Sequence, residues 1–268
     1  MEILFWITVS IIILIGLLIG ILFTFYFIQE RLIFSPIRLP KNYPYPFKGD
    51  FEERNYEVDK GVFLNSLLFK VPNSKGLIFY IHGNADNLRY WGDFAAFFNQ
   101  LGYDVFMYDY RGFGKSGGKI SSEKQLHADA NKLYEELLNE YPPERVVIYG
   151  FSIGTGIATK LASNSACKLL ILEAPYFNFL ELVNYHKAYL PASLISKYRF
   201  RINRLLPKIE VPIFIFHGTD DRKVPFYLGA KLDGLNQLLT FISVEHATHN
   251  DMQAMETYQL KMKEILAD

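Results

Sequence analysis

The sequence predicts an α/β protein in which a mostly parallel central sheet is covered by helices on both faces and preceded by one transmembrane helix. Six short apolar runs between Gly76 and Val244 resemble strands buried on both faces, and segments with helical spacing lie between most of them. A charge-free stretch of about 26 residues opens the chain. With 268 residues, half of them apolar, the chain has ample core for one large domain or two small ones. Its 28 Lys and Arg balance its 28 Asp and Glu, with no basic run. Phosphate backbones need concentrated positive charge, so nucleic acid is not an expected partner. The single Cys167 excludes an intramolecular disulfide and a cysteine zinc cluster.

The opening stretch, residues 3–28, reads ILFWITVSIIILIGLLIGILFTFYFI, long enough to cross a bilayer core of about 30 Å with some tilt. A cleaved signal peptide would need a basic start, a shorter apolar run and small residues before the cut; here Glu2 precedes the run and bulky FTFYFIQERL closes it. An uncleaved anchor is expected. Arg31, Arg38, Lys41 and Lys48 follow it, whereas Glu2 and the terminal amine precede it, so the positive-inside rule puts the rest of the chain in the cytoplasm. Residues 29–50 hold four prolines within FSPIRLPKNYPYPFKGD, which breaks helix and sheet and predicts a tether. The globular domain is expected over residues 51–268.

That domain should open with an antiparallel pair, RNYEV and VFLNSLLFKV, turning at DKG. GLIFYIH, YDVFMYD, RVVIYG, KLLILEA, VPIFIFHG and TFISV follow as strands, with helices in RYWGDFAAFFNQLG, SSEKQLHADANKLYEELLNEY, IGTGIATKLASN and NDMQAMETYQLKMKEIL. Strand alternating with helix implies a parallel sheet whose ligands gather at the carboxyl ends of the strands. Chemistry is expected just after those ends.

The run VVIYGFSIGTG carries Gly150-Phe151-Ser152-Ile153-Gly154 between a strand and a helix. Gly-x-Ser-x-Gly in that setting is a nucleophile elbow: the glycines relieve crowding around a strained turn that lifts the Ser152 hydroxyl above the sheet. Gly156 and Ala158 are expected to let the helix pack closely on the sheet. A serine needs a base to take its proton and donors aimed at the oxyanion it creates. Upstream, a strand ends in His82-Gly83-Asn84, so the backbone N–H of Asn84 can join that of Ile153 as a two-donor hole. His82 is read as packing under this loop, not as a base. The glycines of RGFGKSGG match a dinucleotide fingerprint only superficially, because no helix opens directly from them; a structural turn is expected, with Arg111 bonding loop backbone.

Strand-HGN, DYRGFGKSGG, GFSIGTG, HGTDDRKVP and a late HND follow one another in the order of the α/β-hydrolase superfamily. From about Phe34 onward the chain resembles its membrane-anchored, serine aminopeptidase-like members. The resemblance implies the α/β-hydrolase fold and a Ser…Asp…His order. Two aspartates compete for the acid in HGTDDRKVP; the family pattern falls on Asp221, leaving Asp220 as a loop residue. Two histidines compete for the base in SVEHATHND. His249, followed by Asn250-Asp251, keeps the family match, although Thr248 stands where glycine is usual, and His246 reads as a strand-end residue. Their spacing of three lacks a local third ligand, so no metal is expected.

Residues 175–207 exceed what a simple crossover needs and hold Tyr176, Phe177, Phe179, Tyr185, Tyr189, Tyr198 and Phe200. These aromatics fit either a satellite core or, as the resemblance implies, a lid-like insert over the nucleophile. The resulting expectation is a membrane-anchored serine hydrolase acting on a small-molecule or protein-linked acyl ester or thioester, without metal or organic cofactor. The alternatives are a serine peptidase or amidase, and a non-catalytic binding protein on the same fold.

Overall fold

The computed structural model describes residues 1–188 and 191–267; Tyr189 of the insert lies outside them. The strands of the main sheet are β1 (Asp50–Asp59), β2 (Val62–Lys70), β3 (Leu77–Ile81), β4 (Asp104–Tyr108), β5 (Val146–Phe151), β6 (Leu169–Glu173), β7 (Ile213–Gly218) and β8 (Leu239–Val244). The helices are α1 (Glu2–Ile33), α2 (Leu88–Trp91), α3 (Ala95–Gln100), α4 (Glu123–Leu137), α5 (Gly154–Ala162), α6 (Phe179–His186), α7 (Ala192–Ile195), α8 (Ile202–Leu205), α9 (Phe226–Ala230) and α10 (Glu256–Ile265).

The eight strands lie in the order β8-β7-β6-β5-β3-β4-β2-β1. Strand β2 pairs antiparallel with both β1 and β4, and the sheet formed by β3 to β8 is parallel. Strands β3 to β6 are buried at every position, which is why they read as unbroken apolar runs. Successive residues serve opposite layers. Phe79 of β3 faces α4 and α5 with Tyr134 and Ile157, while Tyr80 faces Phe98, Tyr149 and Tyr258. Chain order reverses at β3, between β4 and β5, so the loops at this carboxyl edge diverge and leave a crevice.

Helix α4 starts at the expected serines. Ser122 Oγ accepts from the Gln125 N–H at 3.2 Å, and the Gln125 side chain accepts from the Ser121 N–H at 2.9 Å. The segment expected as one helix over RYWGDFAAFFNQLG is instead split by a 3-10 turn at Gly92–Phe94. A Cβ on Gly92 would fall 2.3 Å from the Phe47 ring, so this turn is shaped by a residue of the proline-rich segment. The last helix is likewise shortened, with a 3-10 turn at Met252–Ala254 before α10.

Two further differences concern the N-terminal region. Helix α1 continues past Ile28 to Ile33, and residues 34–47 form a strap on the domain: Phe34 and Tyr45 are buried, and the Leu39 N–H donates to Gly114 O at 2.9 Å. Prolines rule out helix there, but the aromatics between them supply apolar anchors. Helix α1 itself has a mean hydropathy of 2.9 over its most apolar window, none of it buried, and is long and apolar enough to cross a membrane.

Candidate active site

Ser152 sits on the turn between β5 and α5 with φ of +53°, a left-handed backbone that costs a non-glycine residue about 1–3 kcal/mol. Its N–H donates to Glu173 O at 2.9 Å, and its carbonyl accepts from the Thr155 N–H at 3.0 Å, so both neighbours hold the turn. The flanking glycines are required by contact. A Cβ on Gly154 would lie 2.2 Å from Ile81 O, and one on Gly150 would lie 2.7 Å from Ala158 Cβ. Ala158 thus allows the close helix-to-sheet approach. Gly156 does not: its space is filled by Tyr176 and Phe200 of the insert.

The loops after β7 and β8 are laced together, with the Thr219 N–H donating to Val244 O at 3.1 Å and the Asp220 N–H to Ala247 O at 3.0 Å. This lacing brings Asp221 and His249 to Ser152. His249 Nδ1 lies 2.7 Å from Asp221 Oδ2, and His249 Nε2 lies 3.1 Å from Ser152 Oγ. A carboxylate only accepts, so Nδ1 carries the ring proton and Nε2 faces the hydroxyl as an acceptor. Asp221 Oδ1 accepts from the Lys223 and Val224 N–H groups, both at 2.9 Å, which fixes the carboxylate. All three side chains are more than nine-tenths buried. Thr248 keeps a negative φ, so glycine is not needed at this point, and Asp251 accepts from the Thr248 N–H at 2.6 Å instead of capping the next turn.

His246 and Asp220 are not part of this arrangement; their side chains are 88% and 58% exposed. His82 is fully buried and stacks on Trp91, and burial lowers its pKa to about 4, so it stays neutral under the loop as expected. Arg111 departs from expectation. It reaches past the loop backbone to Asp129 at 2.6 and 2.7 Å and to Asp59 at 2.6 Å, because two carboxylates satisfy a buried guanidinium better than carbonyls do.

Asn84, Ile153, Ser152 and His249 share the floor of a cleft of about 680 Å³. Neither the Asn84 nor the Ile153 backbone N–H donates a hydrogen bond among the described residues. Phe179, Leu182 and Val183 of α6 line the same cleft as Ser152 and form one wall, and Tyr176, Tyr198 and Phe200 of the segment 175–207 are buried. The other wall comes from Phe25, Leu32 and Ile33 of α1, the first expected in the anchor and the other two in the tether.

Behind Ser152, Glu173 is buried against Tyr149, Tyr258 and Gln253, whose Nε2 lies 3.2 Å from the carboxylate. Burial pushes its pKa up to about 8, with the Gln253 and Tyr258 bonds opposing the rise. Between about pH 4.5, where an unfolded glutamate titrates, and pH 8, the folded chain holds a proton that the unfolded chain has lost. This group therefore makes stability fall as pH rises through that window. Glu173→Gln is neutral throughout, so its thermal midpoint in detergent should gain on wild type between pH 5 and pH 8 by several degrees, on the order of a few kcal/mol. A pH-independent difference between the two proteins would contradict this assignment. Sequence reading missed Glu173; an acidic residue ending the otherwise apolar LLILE was the available signal.

Residues 72–202 match the protein family described as "Serine aminopeptidase, S33". The matched span includes Asn84, Ser152 and Ile153 and ends before Asp221 and His249. The chain is 31% identical over 222 residues to alpha/beta hydrolase domain-containing protein 17C of Xenopus laevis, covering 79% of this chain and 68% of the relative. For the Mus musculus protein of the same name the identity is 32% over 205 residues, covering 73% and 61%. Among solved structures, an esterase from Pyrococcus furiosus superposes with a TM-score of 0.70 at 20% identity, over 87% of this chain and 98% of that one. A monoacylglycerol lipase from Paleococcus ferrophilus superposes with a TM-score of 0.59 at 17% identity, over 76% and 98%. At these identities the structural likenesses establish the fold alone.

Proposed function

We propose, from the premise that this chain belongs to the α/β-hydrolase superfamily, that it is a membrane-anchored serine hydrolase cleaving acyl esters or thioesters with lipophilic acyl groups. The observation that carries this reading is the continuous Ser152–His249–Asp221 relay on the floor of an apolar cleft. Ser152 Oγ attacks the carbonyl carbon while His249 Nε2 takes its proton. The carbonyl electrons move to an oxyanion, held by the backbone N–H groups of Asn84 and Ile153. Each such donor is worth about a hundred- to a thousandfold in rate. Collapse expels the alcohol or thiol, which takes the proton from His249 and leaves an acyl-Ser152. Water, deprotonated by the same nitrogen, then releases the acid and restores the serine. Asp221 stabilises the imidazolium without accepting its proton.

An aminopeptidase would have to hold a free α-ammonium group, which calls for an anionic partner. No Asp or Glu lines the cleft among the described residues, which favours the ester or thioester reading over an aminopeptidase. The anchor is α1, and the basic residues that follow it favour a cytoplasmic catalytic domain. A fluorophosphonate probe tests the reading against a non-catalytic role on the same fold. Wild type should be labelled covalently, and Ser152→Ala should not be labelled. Well-folded wild type that resists the probe would remove the enzyme assignment.

A further inference from the structure

Helix α1 does more than tether the domain. Phe25, Gln29, Leu32 and Ile33 all line the cleft, and their spacing of four, three and one puts them on one stripe of the helix, facing the nucleophile. The stripe is held in place by polar groups. Gln29 Nε2 donates to Ile195 O at 3.2 Å while its Oε1 accepts from the Lys197 N–H at 2.8 Å. Glu30 Oε1 accepts from Lys197 Nζ at 2.9 Å and from the Tyr198 hydroxyl at 3.2 Å. At the end of the helix, Ile33 O accepts from Asn84 Nδ2 at 2.5 Å, and the Ser35 N–H donates to Asn84 O at 2.9 Å. The residue offering one oxyanion donor is therefore pinned by the segment that leaves α1.

The depth of this stripe matters. The apolar run of α1 ends at Ile28, and Gln29, Glu30 and Arg31 come next, with Lys197 lying 4.8 Å from the Tyr26 ring centroid. Aromatic rings followed by charges mark the boundary between hydrocarbon and headgroups. Phe25 lies on the apolar side of that boundary and Leu32 and Ile33 on the other, so the cleft crosses it. Leu194 of α7 and Tyr185 of α6 are exposed beside it, as expected of an insert seated at the same level.

Resting on the hydrolase reading, we propose that the last two turns of α1 form one wall of the acyl-binding cleft. The acyl chain of a substrate still embedded in the bilayer passes along Phe25, Leu32 and Ile33 to Ser152, without first leaving the membrane. Its ester or thioester carbonyl then lies just above the headgroup boundary, where Asn84, Ser152 and His249 meet it.

The test uses the full chain in lipid nanodiscs with p-nitrophenyl esters from butyrate to palmitate. Leu32→Trp places bulk in the cleft; Leu32→Ala removes wall without overpacking; Leu18→Trp adds the same bulk farther up the same helix, where Leu18 is exposed. Both Leu32 variants should lower the palmitate-to-butyrate ratio of kcat/KM by about tenfold or more, and Leu18→Trp should leave that ratio at its wild-type value. Fluorophosphonate labelling of Ser152 reports folding and the hydrolase reading separately. An unchanged chain-length profile in labelled Leu32→Trp, or an equal loss for all esters in both Leu32 variants, overturns the proposal while leaving the hydrolase reading intact. Two further arms, a long-chain monoacylglycerol and an S-palmitoylated peptide in the same nanodiscs, distinguish a lipid ester from a protein thioester as the carrier. Whichever is cut should be cut about tenfold more slowly by Leu32→Trp, and an unchanged rate counts against the wall.

Discussion

Replacing His249 with alanine should lower acyl-ester turnover by roughly ten-thousandfold or more, while changing His246 should leave it within about twofold. The two histidines are three residues apart in one loop, yet their surroundings differ completely. His249 Nε2 lies 3.1 Å from Ser152 Oγ and its other nitrogen 2.7 Å from Asp221, inside a nine-tenths buried site. His246 points into solvent with φ of +60°, and its ring lies 3.9 Å from the exposed Asp220. Because that backbone is left-handed, the cleaner control is His246→Asn, which tolerates it better than alanine. Without the imidazole, Ser152 has no acceptor for its proton during attack and the leaving group has no donor, so both halves of the reaction slow. Steady-state kcat with a p-nitrophenyl ester, alongside the rate of fluorophosphonate labelling, checks this. Comparable losses in His246→Asn and His249→Ala would falsify the assignment of the base, though not of the nucleophile.

Most of the sheet was legible because parallel strands buried on both faces must be apolar at every position. VVIYG and LLILE need no partner to be recognised as such strands. The elbow was legible because the tight turn itself demands its glycines: an added Cβ would fall 2.7 Å from Ala158 Cβ at Gly150 and 2.2 Å from Ile81 O at Gly154. What escaped depends on long-range contact. The proline-rich strap looks like a tether until Phe47 is seen against Gly92, and Arg111 looks like a turn residue until Asp129 and Asp59 arrive from other elements. The stripe on α1 is hidden because lipid and cleft both select apolar residues, so Leu32 and Ile33 carry no mark of which one they face. Gln29 is the exception. A polar side chain at the end of such a run, 8% exposed, is explained by its bonds to Ile195 and Lys197, not by water.

Asp221→Asn should cost about as much as losing the histidine, with the fold intact, because the substitution changes one proton's position and little else. The amide oxygen of asparagine can still accept from the Lys223 and Val224 N–H groups that hold Asp221 Oδ1 at 2.9 Å. On the other side, the amide nitrogen would face His249 Nδ1 as a donor. That contact favours the tautomer with the proton on Nε2, the nitrogen 3.1 Å from Ser152 Oγ, and a protonated Nε2 cannot take the hydroxyl proton. Turnover should fall by roughly ten-thousandfold, with little change in thermal midpoint. Asp220→Asn, one residue earlier but 58% exposed, should stay within about twofold of wild type. The pair separates two roles open to adjacent acids in one loop: a general electrostatic contribution would weaken both variants in proportion to charge lost, whereas control of the tautomer concentrates the loss in Asp221. A wild-type rate in folded Asp221→Asn would mean that Asp221 does not set the tautomer of His249.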